Sequence, residues 1–169
     1  VGAGDQARGT EVAVRLAAGR RPLGSAVGLS DVGSTGWRTS LGEAFLVLAA
    51  VRLSLAMMNF KRVERLTVAL VRRLAPRPAD GTPEDDARLG RAVRRAALLV
   101  PGAKCLAQGT AGMIVWARHG HRSRMTIGVK LDSKEAFGAH AWLETPHGIP
   151  VGGAEAAQFS PLMTIDPYA

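Results

Sequence analysis

From Leu41 onward the chain runs in apolar stretches with helical spacing, cut by proline and glycine, and from Met125 it changes to short strand-like runs. Ser40 and Glu43 have the spacing of a capping box, in which each side chain satisfies the other residue's free backbone N–H, so a helix is predicted over 41–58. A second helix, over 61–74, puts Val63, Leu66, Leu70 and Leu74 on one face and arginines opposite, and is expected to pack on the first. Pro76 and Pro78 stop it. Thr82 as N-cap, Pro83 at the first helical position and Glu84, Asp85 and Asp86 in the first turn begin a third, whose apolar face is Leu89, Val93, Ala96, Ala97 and Val100. Pro101-Gly102 ends that helix, and Cys105 opens another that runs to Arg118. Strands are predicted over 125–130, 139–144 and 149–151, the last two joined by a turn through Thr145-Pro146-His147-Gly148. Helices followed by an antiparallel sheet make an α+β arrangement.

Residues 1–37 lack a sustained period and are rich in Gly, Ala and Ser, so they are expected to form a poorly ordered extension, leaving 38–169 as one domain. Gly28 to Thr35 has some likeness to a phosphate-binding loop, but Ser34 stands where the lysine belongs and no strand precedes it. No signal peptide is visible, which points to a cytoplasmic protein. The apolar run 41–60 contains Glu43 and Arg52 and is read as a buried helix rather than an integral membrane span, with a membrane-surface helix as the alternative.

The chain has 169 residues and a net charge of +8. Its excess of arginine lies in the middle third, at Arg62, Arg65, Arg72, Arg73, Arg88, Arg91, Arg94 and Arg95, with almost no aromatic residue between them. Nucleic-acid binding is not expected from that pattern; a solvated helix face or a surface for an acidic peptide or partner is. A basic adaptor that binds peptide or RNA without catalysis is the reading furthest from an enzyme.

Cys105 is the single cysteine, which rules out an internal disulfide framework and makes it either a small buried hydrophobe or a nucleophile. A thiol with the usual pKa of about 8.5 is only a few per cent ionised near neutrality, and both a helix N-terminus and an imidazolium favour the thiolate that attacks a carbonyl. Cys105 has the first from its own helix. Of the histidines, His119, His121 and His147 stand at a helix end or a turn, where capping or exposure suffices, whereas His140 interrupts the apolar strand Ala139-His140-Ala141-Trp142-Leu143. The sequence shows none of the paired spacings a zinc site requires, so no metal or organic cofactor is expected.

Cys105 at the head of a helix, Ile127-Gly128-Val129, His140-Ala141-Trp142-Leu143-Glu144, a hairpin and Phe159-Ser160-Pro161-Leu162 together resemble the transglutaminase-like leader peptidases of lasso-peptide biosynthesis. The resemblance runs from about Trp37 to the C-terminus. It implies a transglutaminase-like, papain-like cysteine protease fold, with helices packed on a small antiparallel sheet. It also implies removal of the leader from a ribosomally made precursor, after which a cyclase closes the macrolactam. On this resemblance Cys105 is the nucleophile, His140 the general base and then acid, and Trp142 a shield from water or an ordinary core aromatic. An aspartate commonly follows the hairpin in that family; here the first acid is Glu155, with Asp132 and Asp166 as weaker alternatives for orienting the histidine. Gln108 could face the cleft, and Glu144 could be only the solvent end of its strand. The family's leader-recognition domain has no counterpart among the assigned segments, so a separate partner protein is expected to supply it. Acyl transfer to an amine, as in a transglutaminase, is the other enzymatic outcome of the same fold.

Overall fold

The computed structural model describes residues 34–130 and 138–169; residues 1–33, and 131–137 with Asp132 among them, lie outside the described residues. Helices α1 (Ser34–Met57), α2 (Phe60–Leu74), α3 (Pro83–Leu99) and α4 (Cys105–Arg118) precede strands β1 (Arg124–Lys130), β2 (Gly138–Thr145) and β3 (Gly148–Val151). A short helix α5 (Gly153–Ala156) and strand β4 (Ser160–Ile165) complete the described chain. The strands form one antiparallel sheet in the order β3-β2-β1-β4, so the architecture is α+β as the residue pattern predicts.

α4 holds the centre. Its sequence is apolar almost all round, and Ala107 and the continuous run Gly109–Ala117 are buried between the other helices and the sheet. Small residues set how closely it lies on the strands: a Cβ on Gly109 would stand 2.7 Å from Met125 Sδ, and one on Gly112 3.0 Å from Leu143 Cδ2. The buried carboxylate of Asp86 ties three elements together, accepting from Trp116 Nε1 of α4 at 2.7 Å and from Thr145 Oγ1 of β2 at 2.5 Å. The expected cap of α3 forms, with Asp85 N donating to Thr82 Oγ1 at 3.1 Å.

Several expectations are corrected. α1 begins at Ser34, inside the stretch expected to be an extension, and Ser40 lies within the helix rather than at its N-cap. The capping box therefore does not form. Ser40 instead accepts from Arg88 Nη1 at 3.0 Å, and Glu43 takes Arg118 and His119 from the far end of α4. α1 is only partly buried: it seats Ala44, Leu48 and Val51 in the core and leaves Phe45, Leu46, Leu53 and Met57 exposed. Its segment Ser40–Met57 is long and apolar enough to cross a membrane by length and composition.

α2 packs chiefly on α4 and only lightly on α1, and the stripe it buries is Val63, Thr67 and Val71. Leu66, Leu70 and Leu74, expected inside, are 54%, 41% and 38% exposed. The apolar residues of α2 occupy two neighbouring stripes, and only one of them meets α4. Leu66 and Leu70 line an open groove of about 230 Å³ with Val47 and Val51 of α1.

Phe159-Ser160-Pro161-Leu162 enters the sequence reading only as part of the resemblance, and no strand is predicted there; Ser160–Ile165 forms β4. It pairs along β1 with a register shift at Ile127/Gly128, where Pro161 faces Gly128 and Met163 faces Ile127, so the proline sits at a bulge on an edge strand.

Candidate active site

α4 starts at Cys105, and Lys104, its N-cap residue, makes no side-chain hydrogen bond to the helix. The first intrahelical bond runs from Gln108 N to Lys104 O, so the N–H groups of Cys105, Leu106 and Ala107 have no acceptor within the helix. The half-buried thiol thus sits beside several N–H groups that the helix leaves without an acceptor, at the positive end of the helix dipole. Gln108 lines the cleft, and its Nε2 donates to Ala103 O at 2.8 Å, which braces the loop that delivers the cysteine.

His140 is on β2, directly opposite Gly128 of β1, and is 9% exposed. It lines the same cleft as Cys105, about 650 Å³ in volume and walled by α3, α4, β2, β3 and the α5 segment. Its Nε2 lies 2.9 Å from the carbonyl oxygen of Gly152. A carbonyl can only accept, so Nε2 carries the proton and the neutral ring keeps Nδ1 as its base. Gly152 has φ +78°, and a Cβ there would meet Ala141 O at 2.8 Å and Trp142 Cβ at 3.0 Å. Only glycine holds the carbonyl in that position without strain.

Glu155, on α5, lies in the same cleft, with Oε2 3.8 Å from His140 Nδ1 and a side chain 66% exposed. That is ion-pair distance but beyond a hydrogen bond. The ring's hydrogen-bond acceptor is the Gly152 carbonyl at Nε2, and Glu155 stands at Nδ1 without a hydrogen bond. Asp166 is not brought to the cleft: it borders a separate depression with Arg122 and Arg124 and accepts from Tyr168 N at 2.8 Å. Asp132 lies outside the described residues.

Aromatic rings pack around the imidazole. Trp142 is buried, with its ring stacked at a centroid distance of 6.1 Å from that of His140, and Phe159 lies at 5.1 Å on a tilted plane. Phe159 also lines the cleft. Trp142 Nε1 donates to Glu144 Oε1 at 2.8 Å, and Arg124, directly across the ladder, donates to Glu144 Oε2 at 2.6 Å. Glu144 is therefore more than the solvent end of a strand. Partial burial opposes its ionisation, but hydrogen bonds from Arg124, Thr126 and Trp142 outweigh that and hold its carboxyl below the ordinary glutamate value.

The remaining histidines stand elsewhere. His119 and His121 follow the C-terminal end of α4, roughly 20 Å along the helix from Cys105, and pair with Glu43 and Asp85. His147 contacts Gly81 O at 3.3 Å. The arginines of the middle third serve different ends: Arg72 binds the carbonyls of Pro167 and Ala169, Arg88 pairs with Asp85, and Arg94 lines the cleft. Two contributors escaped the residue pattern. The Gly152 carbonyl is a backbone group with no side-chain signature, and Arg94 looked like one more cation on a helix face.

A family model described as transglutaminase-like superfamily matches residues 47–164, a span that includes Cys105, His140 and Glu155. No curated protein and no solved structure gives a significant match to the chain.

Proposed function

Because the chain belongs to the transglutaminase-like superfamily, which includes cysteine proteases and acyltransferases, we propose that it is a cysteine peptidase that removes the leader from a lasso-peptide precursor. The observation that carries this reading is the meeting, in one open cleft, of a thiol at a helix start and a histidine whose Nε2 is fixed by the Gly152 carbonyl.

In this mechanism His140 Nδ1 takes the proton of Cys105 Sγ, and the thiolate attacks the carbonyl carbon of the scissile peptide bond. The tetrahedral oxyanion is held by the N–H groups that the helix leaves without an acceptor at the start of α4, whose dipole favours negative charge there. The C–N bond then breaks, the imidazolium giving its proton to the departing amine, and an acyl-enzyme thioester remains. Water, deprotonated by the same His140 nitrogen, attacks the thioester; the C–S bond breaks and the leader leaves with a new carboxylate. The buried ring of Trp142 and the half-buried ring of Phe159 shield the imidazole from bulk water on the sides they cover.

The core peptide freed at its N-terminus would pass to a macrolactam-forming cyclase, and a separate leader-recognition protein would present the substrate. Presentation by a bound partner raises the local concentration of leader beside Cys105 without any change in the chemistry. Arg91, exposed on α3, is a candidate contact for an acidic partner or leader. Mass spectrometry of a precursor peptide incubated with the chain, with and without the recognition protein, tests the reading. Cleavage is expected, faster with the partner and absent with Cys105→Ala. Cleavage that persists in Cys105→Ala, or attachment of an amine in place of hydrolysis, would overturn the peptidase assignment.

A further inference from the structure

Gly90 and Arg94 stand one helical turn apart on α3, and both meet the carbonyl oxygen of Pro150 on β3. A Cβ on Gly90 would lie 2.7 Å from that oxygen, so the glycine is what lets the edge strand come so near the helix. Arg94 Nη1 then donates to the same oxygen. One of the five N–H groups of the guanidinium is committed in this way, and the head is held at the wall of the cleft that contains Cys105 and His140.

Arg94 is the only permanently cationic side chain among the described residues that line this cleft, and none of the ion pairs among the described residues includes it. The one carboxylate in the cleft, Glu155, stands by His140. Arg94, Ile149 and Pro150 also border a second depression of about 320 Å³, so an extended chain leaving the cleft can continue past the guanidinium.

We propose that Arg94 is a specificity-determining residue, which takes the carboxylate side chain of an aspartate or glutamate in the peptide attacked by Cys105. The proposal rests on the assignment of Cys105 as nucleophile. A planar fork with several remaining donors suits a carboxylate in a way that a solvated lysine would not. The second depression on the far side of Arg94 favours an internal acidic side chain over a terminal carboxylate, which would call for a closed end.

Two alkylating probes of similar size test it. Iodoacetate carries a carboxylate and iodoacetamide does not, and both report on Cys105. The ratio of their rate constants cancels any change in the thiol common to both. In Arg94→Gln this ratio is expected to fall by about fivefold from the wild-type value, corresponding to a partly screened charge contact, and Arg94→Lys is expected to fall between the two.

In the wild type, millimolar acetyl-Ala-Glu-Ala-amide is expected to slow alkylation by iodoacetamide, and acetyl-Ala-Gln-Ala-amide is not. Protection by acetyl-Ala-Gln-Ala with a free C-terminus, but not by the glutamate amide, would assign a terminal carboxylate and overturn the side-chain proposal. A thiol that reacts quickly while the ratio in Arg94→Gln equals that of the wild type would overturn the role of Arg94 alone. A thiol sluggish toward both reagents would remove the assignment of Cys105, and the proposal with it.

Discussion

His140 Nε2 donates to the carbonyl of Gly152 at 2.9 Å, across the turn that joins β3 to α5. The imidazole is thereby oriented by backbone rather than by a carboxylate, and the carbonyl is held by a residue that must be glycine. Gly152→Ala introduces a side chain at φ +78° and 2.8 Å from Ala141 O. The left-handed backbone alone costs roughly 1–2 kcal/mol, and relief of the contact must move the carbonyl. Thermal unfolding should show the loss, and alkylation of Cys105 by iodoacetamide should slow because the ring loses its anchor. A variant of full stability that reacts at the wild-type rate would show that the Gly152 carbonyl does not set the tautomer.

Glu155 should matter less than a hydrogen-bonded third member would. With 3.8 Å to Nδ1 and most of its side chain in water, it can act on an imidazolium only through a screened charge. Glu155→Gln is expected to lower turnover by less than about tenfold, with the difference shrinking at high salt. A loss of a thousandfold, insensitive to salt, would restore it as the orienting acid.

Asp86 should be among the most sensitive positions outside the cleft. Asp86→Ala leaves the buried indole N–H of Trp116 and the hydroxyl of Thr145 without their acceptor. A loss of about 3 kcal/mol is expected in denaturant unfolding, since a hydrogen bond to a charged group and a stranded donor are both involved. A change under about 0.5 kcal/mol, the size of an ordinary surface substitution, would mean that water replaces the carboxylate freely.

Glu144 makes a prediction for acid. Its folded-state carboxyl titrates below the ordinary 4.5, so its ionised form contributes stability that is fully present above that value and is lost as the pH falls through the lower, folded value. Glu144→Gln should therefore lower the Tm at pH 7, and the gap to wild type should narrow as the pH falls below the ordinary glutamate value and through the lower, folded one. A gap that stays constant, or widens, on acidification would assign the effect to packing of Arg124 and Trp142 instead of to charge.

The parts of the molecule legible in the sequence are those in which a side chain acts through its own local chemistry. Thr82 and Pro83 mark the start of α3, Pro101-Gly102 separates it from α4, and His140 stands out in its apolar strand. What escaped depends on neighbours far along the chain. Leu66 and Leu70 are as apolar as Val63 and Val71, and only the position of α4 decides which stripe is buried. Ser40 and Glu43 had the spacing of a cap, yet Arg88, Arg118 and His119 claim them. Asp86 had a sufficient local reason to be present in the first turn of a helix, which concealed its contacts with Trp116 and Thr145. The acceptor for His140 could not be read at all, because every residue carries a carbonyl.

The pairing of Cys105 with His140 is the centre of the account, and the rate of Cys105 alkylation by iodoacetamide at pH 7 in wild type and His140→Ala tests it most directly. The account predicts fast labelling in the wild type and labelling at least about tenfold slower in His140→Ala, because removing the base removes the species that reacts. Equal rates in the two proteins, with both folded, would contradict it.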